Sequence, residues 1–207
     1  MSASNKNVPA SRKRGPKGDT GYTWDDTIAA IGKDYSGGKV LVADETIDES
    51  SLARYCEVFE FGNPIFWDDE IAQRAGYRAQ VAPWASIKDT FSYGGSWRPG
   101  EPTRYPLDME IDARGANAVR VPTEGEPPMP PVTTTFFTDM TIEFFEPVCK
   151  GDNISVMGRR LASVSPKTTS VGEGAFISFA SEYFNQRGEL VARATQGSYT
   201  YNPKKKD

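Results

Sequence analysis

The sequence predicts an α+β protein with its helices first and its sheet last, and three observations carry that expectation. Apolar residues recur at helical spacing between residues 48 and 91. Four β-type segments separated by turn residues fill about 137–149, 153–163, 173–186 and 189–201. No apolar run approaches the ~20 residues of a membrane helix, so these periodic segments belong to a globular α+β domain.

Taken in chain order, Gly38 to Ala43 is a short β-type run, and Asp48 then opens a helix whose Leu52, Tyr55, Cys56 and Phe59 follow i, i+3, i+4, i+7 spacing and bury one face. Phe61-Gly62-Asn63-Pro64 stops it, because Gly62 offers a left-handed stop and Pro64 disfavours a helical Asn63. Asp68 caps a second short helix that carries Asp69 and Glu70 in its first turn and ends at Gly76. After a loop from Tyr77 to Ala82, Pro83 starts a third helix with Trp84, Ile87 and Phe91 on one side, ended by Gly94-Gly95 and expected to be the most buried of the three. From Trp97 to Pro131 periodicity fades and prolines accumulate, which predicts a long, partly extended connection. The four final segments, parted by Lys150-Gly151-Asp152, Ser165-Pro166-Lys167 and Gln186-Arg187-Gly188, suit an antiparallel meander. Ile177, Phe179 and Tyr183 alternate with Ser178, Ala180 and Glu182, the period of a sheet packed on one side, and the sheet is expected to wrap the helix that begins at Pro83.

Composition narrows the function. The 207 residues include 24 Lys+Arg, 28 Asp+Glu and no histidine, so the side chain most used for proton transfer near neutral pH is missing and must come from another chain if the chemistry needs it. Charge is uneven: residues 1–20 and 204–207 read as basic disordered tails, while 21–203, read as one domain, holds 16 basic and 26 acidic residues. A body at −10 argues against a nucleic-acid surface, which needs a basic footprint. The polar, basic N-terminus has no apolar signal core. Cys56 and Cys149, far apart and beside apolar residues, read as reduced core thiols of a cytoplasmic protein. Asp44, Asp48 and Asp68 lack metal-ligand spacing, and Gly94-Gly95 resembles no phosphate loop.

Two stretches carry a resemblance. Gly38 to Ser86, with Asn63-Pro64-Ile65-Phe66, Asp68-Asp69-Glu70, Ala75-Gly76-Tyr77 and Val81-Ala82-Pro83, resembles a MaoC-like dehydratase, in particular the fatty-acid-synthase-like or N-terminal MaoC subgroup. Ile142 to Asp152 resembles that family's second strand and its Pro-Val-x-x-Gly-Asp turn. The resemblance spans roughly residues 36–201 and implies a hot-dog fold, an antiparallel sheet wrapped around a central helix.

In catalytic relatives the first motif reads Asp-x-Asn-Pro-(Leu/Ile)-His, and its two ionisable residues flank the water added across, or removed from, an enoyl thioester. A base and an acid must stand over adjacent carbons. Phe61 and Phe66 occupy those two positions here, and neither exchanges a proton. The resemblance therefore implies a non-catalytic member, paired as heterodimer or heterotetramer with a catalytic MaoC-like subunit, with an acyl-CoA thioester as substrate and no separate cofactor. Fatty acid or steroid metabolism is the implied setting. Asn63, Phe66, Tyr77, Arg78 and Trp84 are the candidate substrate-binding residues. Phe61, Phe66 and Trp84 are either tunnel walls or core residues without ligand contact. The main-chain N–H after Ala82-Pro83, in the Trp84 region, matches the family's oxyanion donor, unless the indole fills the pocket. Arg78 either meets a CoA phosphate or is a solvated surface charge, and the same two readings stand for Arg159, Arg160 and Lys167.

Two other functions remain open from the sequence. A hot-dog thioesterase would use a carboxylate such as Asp68 or Asp69 to activate water, although both also read as helix caps. A homo-oligomeric acyl-CoA binding module would need no catalyst at all.

Overall fold

The computed structural model describes residues 21–92, 94–100 and 125–204. The expectations for the 1–20 tail, for most of the proline-rich connection and for the last three residues lie outside the described residues. The elements are α1 (Trp24–Ala29), β1 (Val40–Val42), α2 (Glu49–Val58), a 3-10 turn (Pro64–Phe66), α3 (Asp69–Arg74), α4 (Ser86–Asp89), β2 (Thr134–Phe144), β3 (Ile154–Thr168), β4 (Gly172–Asn185) and β5 (Leu190–Pro203).

Helix α2 starts where its cap predicts. The Asp48 carboxylate accepts the Ser51 N–H at 2.6 Å while the Ser51 hydroxyl accepts the Asp48 N–H at 3.2 Å, which satisfies two otherwise orphaned donors. Leu52 and Cys56 are fully buried on its inner face. Phe59 departs from the expected pattern: it lies past the last helical turn and is 57% exposed. The left-handed residue that turns the chain is Glu60, at φ 52°, rather than Gly62. Asp68 caps α3 by accepting the Ile71 N–H at 2.8 Å, and Gly76 ends it at φ 94°.

The five strands form one antiparallel sheet in the order β1-β3-β4-β5-β2. The expected meander holds for β3, β4 and β5 only. β2 pairs with the far side of β5, because the connection through Phe145–Asn153 carries the chain across the end of the sheet to β3. Ser165-Pro166-Lys167, expected as a turn, lies within β3 opposite Phe176, Ala175 and Gly174. Among the described residues β1 covers β3 only from Ser155 to Met157 and no strand lies beside Pro166 on that edge, where its missing N–H leaves no ladder bond unmade. The actual reversal is Thr169–Val171, closed by Thr169 N–H donating to Gly172 C=O at 2.8 Å.

The helix expected from Pro83 is one turn, α4. Its Ala85 cap offers no side-chain acceptor, and the Ser86 hydroxyl donates back to Pro83 C=O. The chain must then reach β1, where Gly94 passes so close to the Val42 carbonyl that a Cβ would fall 1.9 Å from its oxygen. Gly95, at φ 72°, and Ser96 donate their N–H groups to the Asp44 carboxylate at 3.0 and 2.6 Å. Ile87 and Phe91 still face the sheet, packed with Ile154, Val156, Tyr183 and Val191, but Trp84 is 51% exposed.

One turn of helix covers part of the packed face. A second cluster covers more, with Ala30, Trp24, Tyr35 and Met129 packed against Leu161, Ala175, Ile177 and Phe179. Segment α1 and the residues after it are fixed there by Gly32 N–H to Leu161 C=O (2.8 Å), Tyr35 N–H to Arg159 C=O (3.0 Å) and the Asp34 carboxylate accepting Arg159 N–H (2.8 Å). Ile177 and Tyr183 share a face of β4, as the alternation predicts, and join the two clusters along it. Among the described residues no helix is long and apolar enough to cross a membrane.

Candidate functional site

The turn after α2 brings Phe61 and Phe66 together. Asn63 holds its bend: the side-chain carbonyl accepts Ile65 N–H at 3.2 Å and caps the 3-10 turn. The Trp67 indole N–H donates to Phe61 C=O at 2.6 Å, and the buried Gln80 amide donates to Phe66 C=O at 2.6 Å. Val81 N–H reaches Ile65 C=O at 3.0 Å, and Ala82 N–H reaches Val148 C=O at 2.8 Å, so the whole segment is clamped to the strand connection behind it.

The result is a run of aromatic rings around the turn. Phe61 lies edge-on to Phe66, centroids 6.0 Å apart, and stacks on Phe59 at 5.5 Å and Tyr55 at 6.3 Å; Tyr55 also meets Phe91 at 6.2 Å. Such contacts add roughly 0.5–1.5 kcal/mol per pair beyond area burial, which favours holding these rings together although Phe59 remains 57% exposed. Phe61 and Phe66 have no proton to give or take. Beside them an open groove of about 780 Å³ runs along α2, lined by Asp48, Arg54, Tyr55, Val58, Phe59 and Thr90 among others.

The other predicted residues are distributed around this corner. Trp84 makes its ring contact with Phe144 of β2, at 4.7 Å, rather than with Phe61 or Phe66. Tyr77 and Arg78 follow α3 in the loop that leads to Gln80. The Arg78 guanidinium donates to Asp152 at 2.6 Å and is 45% exposed. Arg159 lies over the Phe179 ring at 3.9 Å and reaches Glu126 at 3.4 Å, the Arg160 backbone forms an isolated antiparallel bridge with that of Asp34, and Lys167 stands 6.0 Å from the Phe176 ring.

The carboxylates of the short helix are engaged. Asp68 is the cap of α3. Asp69 accepts from the Lys150 ammonium and from Gln80 N–H at 2.8 Å, and the Lys150 hydrogen bond first, then the Gln80 N–H, hold its carboxyl below the usual range. A carboxylate so stabilised is a weaker base for activating water. Cys56 and Cys149 are both buried free thiols whose ionisation burial disfavours.

Sequence reasoning passed over Asp152 as part of a turn. Its side chain is fully buried and accepts Cys149 N–H (2.9 Å), Arg78 (2.6 Å) and Arg187 (2.9 Å). Arg187 is further held by Glu189 at 2.7 Å. Its arginine partners lie 74 residues before it and 35 after it, a pairing visible only once the fold is known.

Comparison with known proteins adds to this geometry. The family model described as FAS1-like, dehydratase domain region, matches residues 29–194. A probable enoyl-CoA hydratase alpha subunit of Thermomonospora curvata is 30% identical over 162 residues, 78% of this chain and 47% of the relative, so the chain spans about half the length of that curated protein. Among solved structures, the ChsH1-ChsH2 complex from Mycobacterium tuberculosis superposes with a TM-score of 0.58 at 22% identity, covering 88% of this chain and 93% of that one. A MaoC-like dehydratase superposes with a TM-score of 0.50 at 15% identity, covering 85% of this chain and 43% of that one. Both structural likenesses place the fold among the hot-dogs.

Proposed function

The chain belongs to the FAS1-like dehydratase-region family of MaoC-like hot-dog proteins, and we propose that within it this chain is the non-catalytic subunit of a cytoplasmic, heteromeric enoyl-CoA hydratase or dehydratase. The observation that carries the reading is the Phe61–Phe66 ring pair at the two positions where catalytic relatives place aspartate and histidine, in a chain without histidine. The name of the Thermomonospora relative, a hydratase alpha subunit, and the two-component ChsH1-ChsH2 structure support a role inside an assembly.

In this role the partner chain holds both proton-transfer groups and positions water over the double bond. This chain supplies shape. Phe66, Asn63 and Trp84 border the acyl group, the clamped 61–82 segment keeps the boundary rigid, and the aromatic corner excludes water from one side of the thioester. Tyr77 and Arg78 border the entrance, where the arginine, tethered through one nitrogen to Asp152, keeps half of its side chain exposed towards a CoA phosphate.

The test is hydration of an enoyl-CoA by the purified chain alone and by the chain co-purified with a histidine-bearing MaoC-like partner. The reading predicts turnover only in the second sample. It also predicts that Trp84→Ala in the complex raises KM several-fold with kcat nearly unchanged, because a lining residue contributes to binding and takes no part in proton transfer.

A further inference from the structure

Burying a glutamine costs the hydration of its amide, so one that is only 1% exposed has to be bonded where it lies. Gln80, in the loop between α3 and Pro83, is bonded to three segments. Its N–H donates to the Asp69 carboxylate at 2.8 Å, its C=O accepts the Lys150 N–H at 2.8 Å, and the Lys150 ammonium donates to Asp69, which closes a ring of bonds. The Gln80 backbone is thereby fixed to α3 and to the connection between β2 and β3. From that anchor its side-chain amide donates to Phe66 C=O at 2.6 Å, and the next residue, Val81, donates its N–H to Ile65 C=O at 3.0 Å. These two carbonyls belong to the two peptide planes that flank the Phe66 Cα. With both planes held, φ and ψ at Phe66 are set, and with them the direction in which its ring leaves the backbone.

We propose that Gln80 is a positioning residue, whose side-chain amide fixes the Phe66 ring at the boundary of the acyl group and so sets how tightly an acyl-CoA binds. Phe66 is half-buried, whereas Gln80, buried behind it, touches no substrate. The turn has bonds of its own, with Asn63 accepting Ile65 N–H at 3.2 Å and the Trp67 indole donating to Phe61 C=O at 2.6 Å. Neither of these acts on the Phe66 carbonyl. Loss of the Gln80 donor therefore leaves the turn formed and the Phe66 carbonyl orphaned, free to swing towards water and to carry the ring out of its place against Phe61. That Phe66 borders the acyl group rests on the function proposed above; that Gln80 sets the geometry of Phe66 rests on these bonds alone.

A double-mutant cycle and hydrogen exchange test it together. Wild type, Gln80→Met, Phe66→Ala and the double variant are each assayed in complex with a histidine-bearing MaoC-like partner, on whichever of crotonyl-CoA and decenoyl-CoA turns over faster. Methionine keeps the length of glutamine and lacks the donor. Gln80→Met should raise KM roughly three- to tenfold with kcat within about twofold, and the double variant should bind no worse than Phe66→Ala, because Gln80 acts only through that ring. In the chain alone, the N–H groups of Phe66, Trp67 and Asp68, which donate within the turn at 3.0–3.1 Å, should exchange at least about tenfold faster in Gln80→Met, while α2 and β3 to β5 keep wild-type protection. Unchanged exchange across the turn, or a KM increase from Gln80→Met that persists undiminished beside Phe66→Ala, overturns the proposal and leaves the proposed function standing. Faster exchange with KM unmoved by Phe66→Ala, or a complex without turnover, defeats the proposed function and takes the binding role of Gln80 with it. Should Gln80→Met fail to unfold cooperatively, Gln80→Asn, one methylene shorter, withdraws the donor in the same comparison.

Discussion

Replacing Asp152 by alanine removes the acceptor that ties three separated segments together, and its cost follows from the burial of that carboxylate. The side chain is 0% exposed and accepts three N–H groups at 2.6–2.9 Å, from Arg78, Arg187 and Cys149. Breaking a buried pair by deleting one partner costs about 3–5 kcal/mol, because an uncompensated charge is left behind. Here the two guanidiniums keep 45% and 36% of their side-chain exposure and rehydrate, which places the loss near the low end, about 3 kcal/mol. For a domain of this size that is a fall in Tm of roughly 6–12 °C. Arg78→Ala removes a half-exposed arm and should cost no more than about 1 kcal/mol. The assay is urea unfolding of both single variants and the double variant at one protein concentration. The predicted pattern is asymmetric, with Asp152→Ala far more costly than Arg78→Ala and the double variant less costly than the sum. An Asp152→Ala loss no larger than that of Arg78→Ala would refute the argument that this carboxylate is a buried junction.

Three further outcomes follow from the same structure. Asp34 is held below its ordinary value of 3.8, first by the Arg159 N–H and then by Ser36, so its stabilising contribution is whole above that value and declines as pH falls through the folded-state value; Asp34→Asn should flatten the acid limb of a stability profile measured below pH 4. Gly174→Ala places a Cβ 2.1 Å from the Thr200 carbonyl oxygen, a backbone collision, and should lower stability by about 1–3 kcal/mol in thermal unfolding while leaving hairpin content visible by circular dichroism. Glu60→Gly should be neutral or stabilising by up to about 1 kcal/mol by chemical denaturation, since a left-handed φ of 52° strains glutamate and suits glycine.

Much of the fold is legible in local chemistry. Asp48 and Asp68 mark the starts of α2 and α3, and the Gln186-Arg187-Gly188 reversal and the alternation of Ile177, Phe179 and Tyr183 survive intact, because capping, turns and pleating are decided within a few residues. The shortness of α4 is a tertiary matter: the chain must bring Gly94 against β1, and the pattern of Trp84, Ile87 and Phe91 cannot disclose that. The place of β2 beside β5 and the survival of Pro166 inside β3 likewise depend on which strand edges the assembled sheet leaves free. Helix α1 had a local signal, a Thr23–Asp26 capping box, but its short length and its nearness to the basic tail obscured it. At the candidate site, the two phenylalanines, Phe61 and Phe66, and the absence of histidine are readable from the sequence. The tether of Arg78 to Asp152 and the pairing of Trp84 with Phe144 needed coordinates, since each joins residues more than fifty positions apart.

The central claim, that this chain shapes a site whose chemistry a partner performs, meets its most direct test in enoyl-CoA hydration measured on three samples: the chain alone, a histidine-bearing MaoC-like partner alone, and their co-purified complex. The account predicts no turnover by this chain, and turnover in the complex that is lost when the partner's histidine is replaced and retained, with a raised KM, when Trp84 is replaced here. Hydration by the purified chain alone would contradict it, because neither Phe61 nor Phe66 can move the proton that the reaction requires.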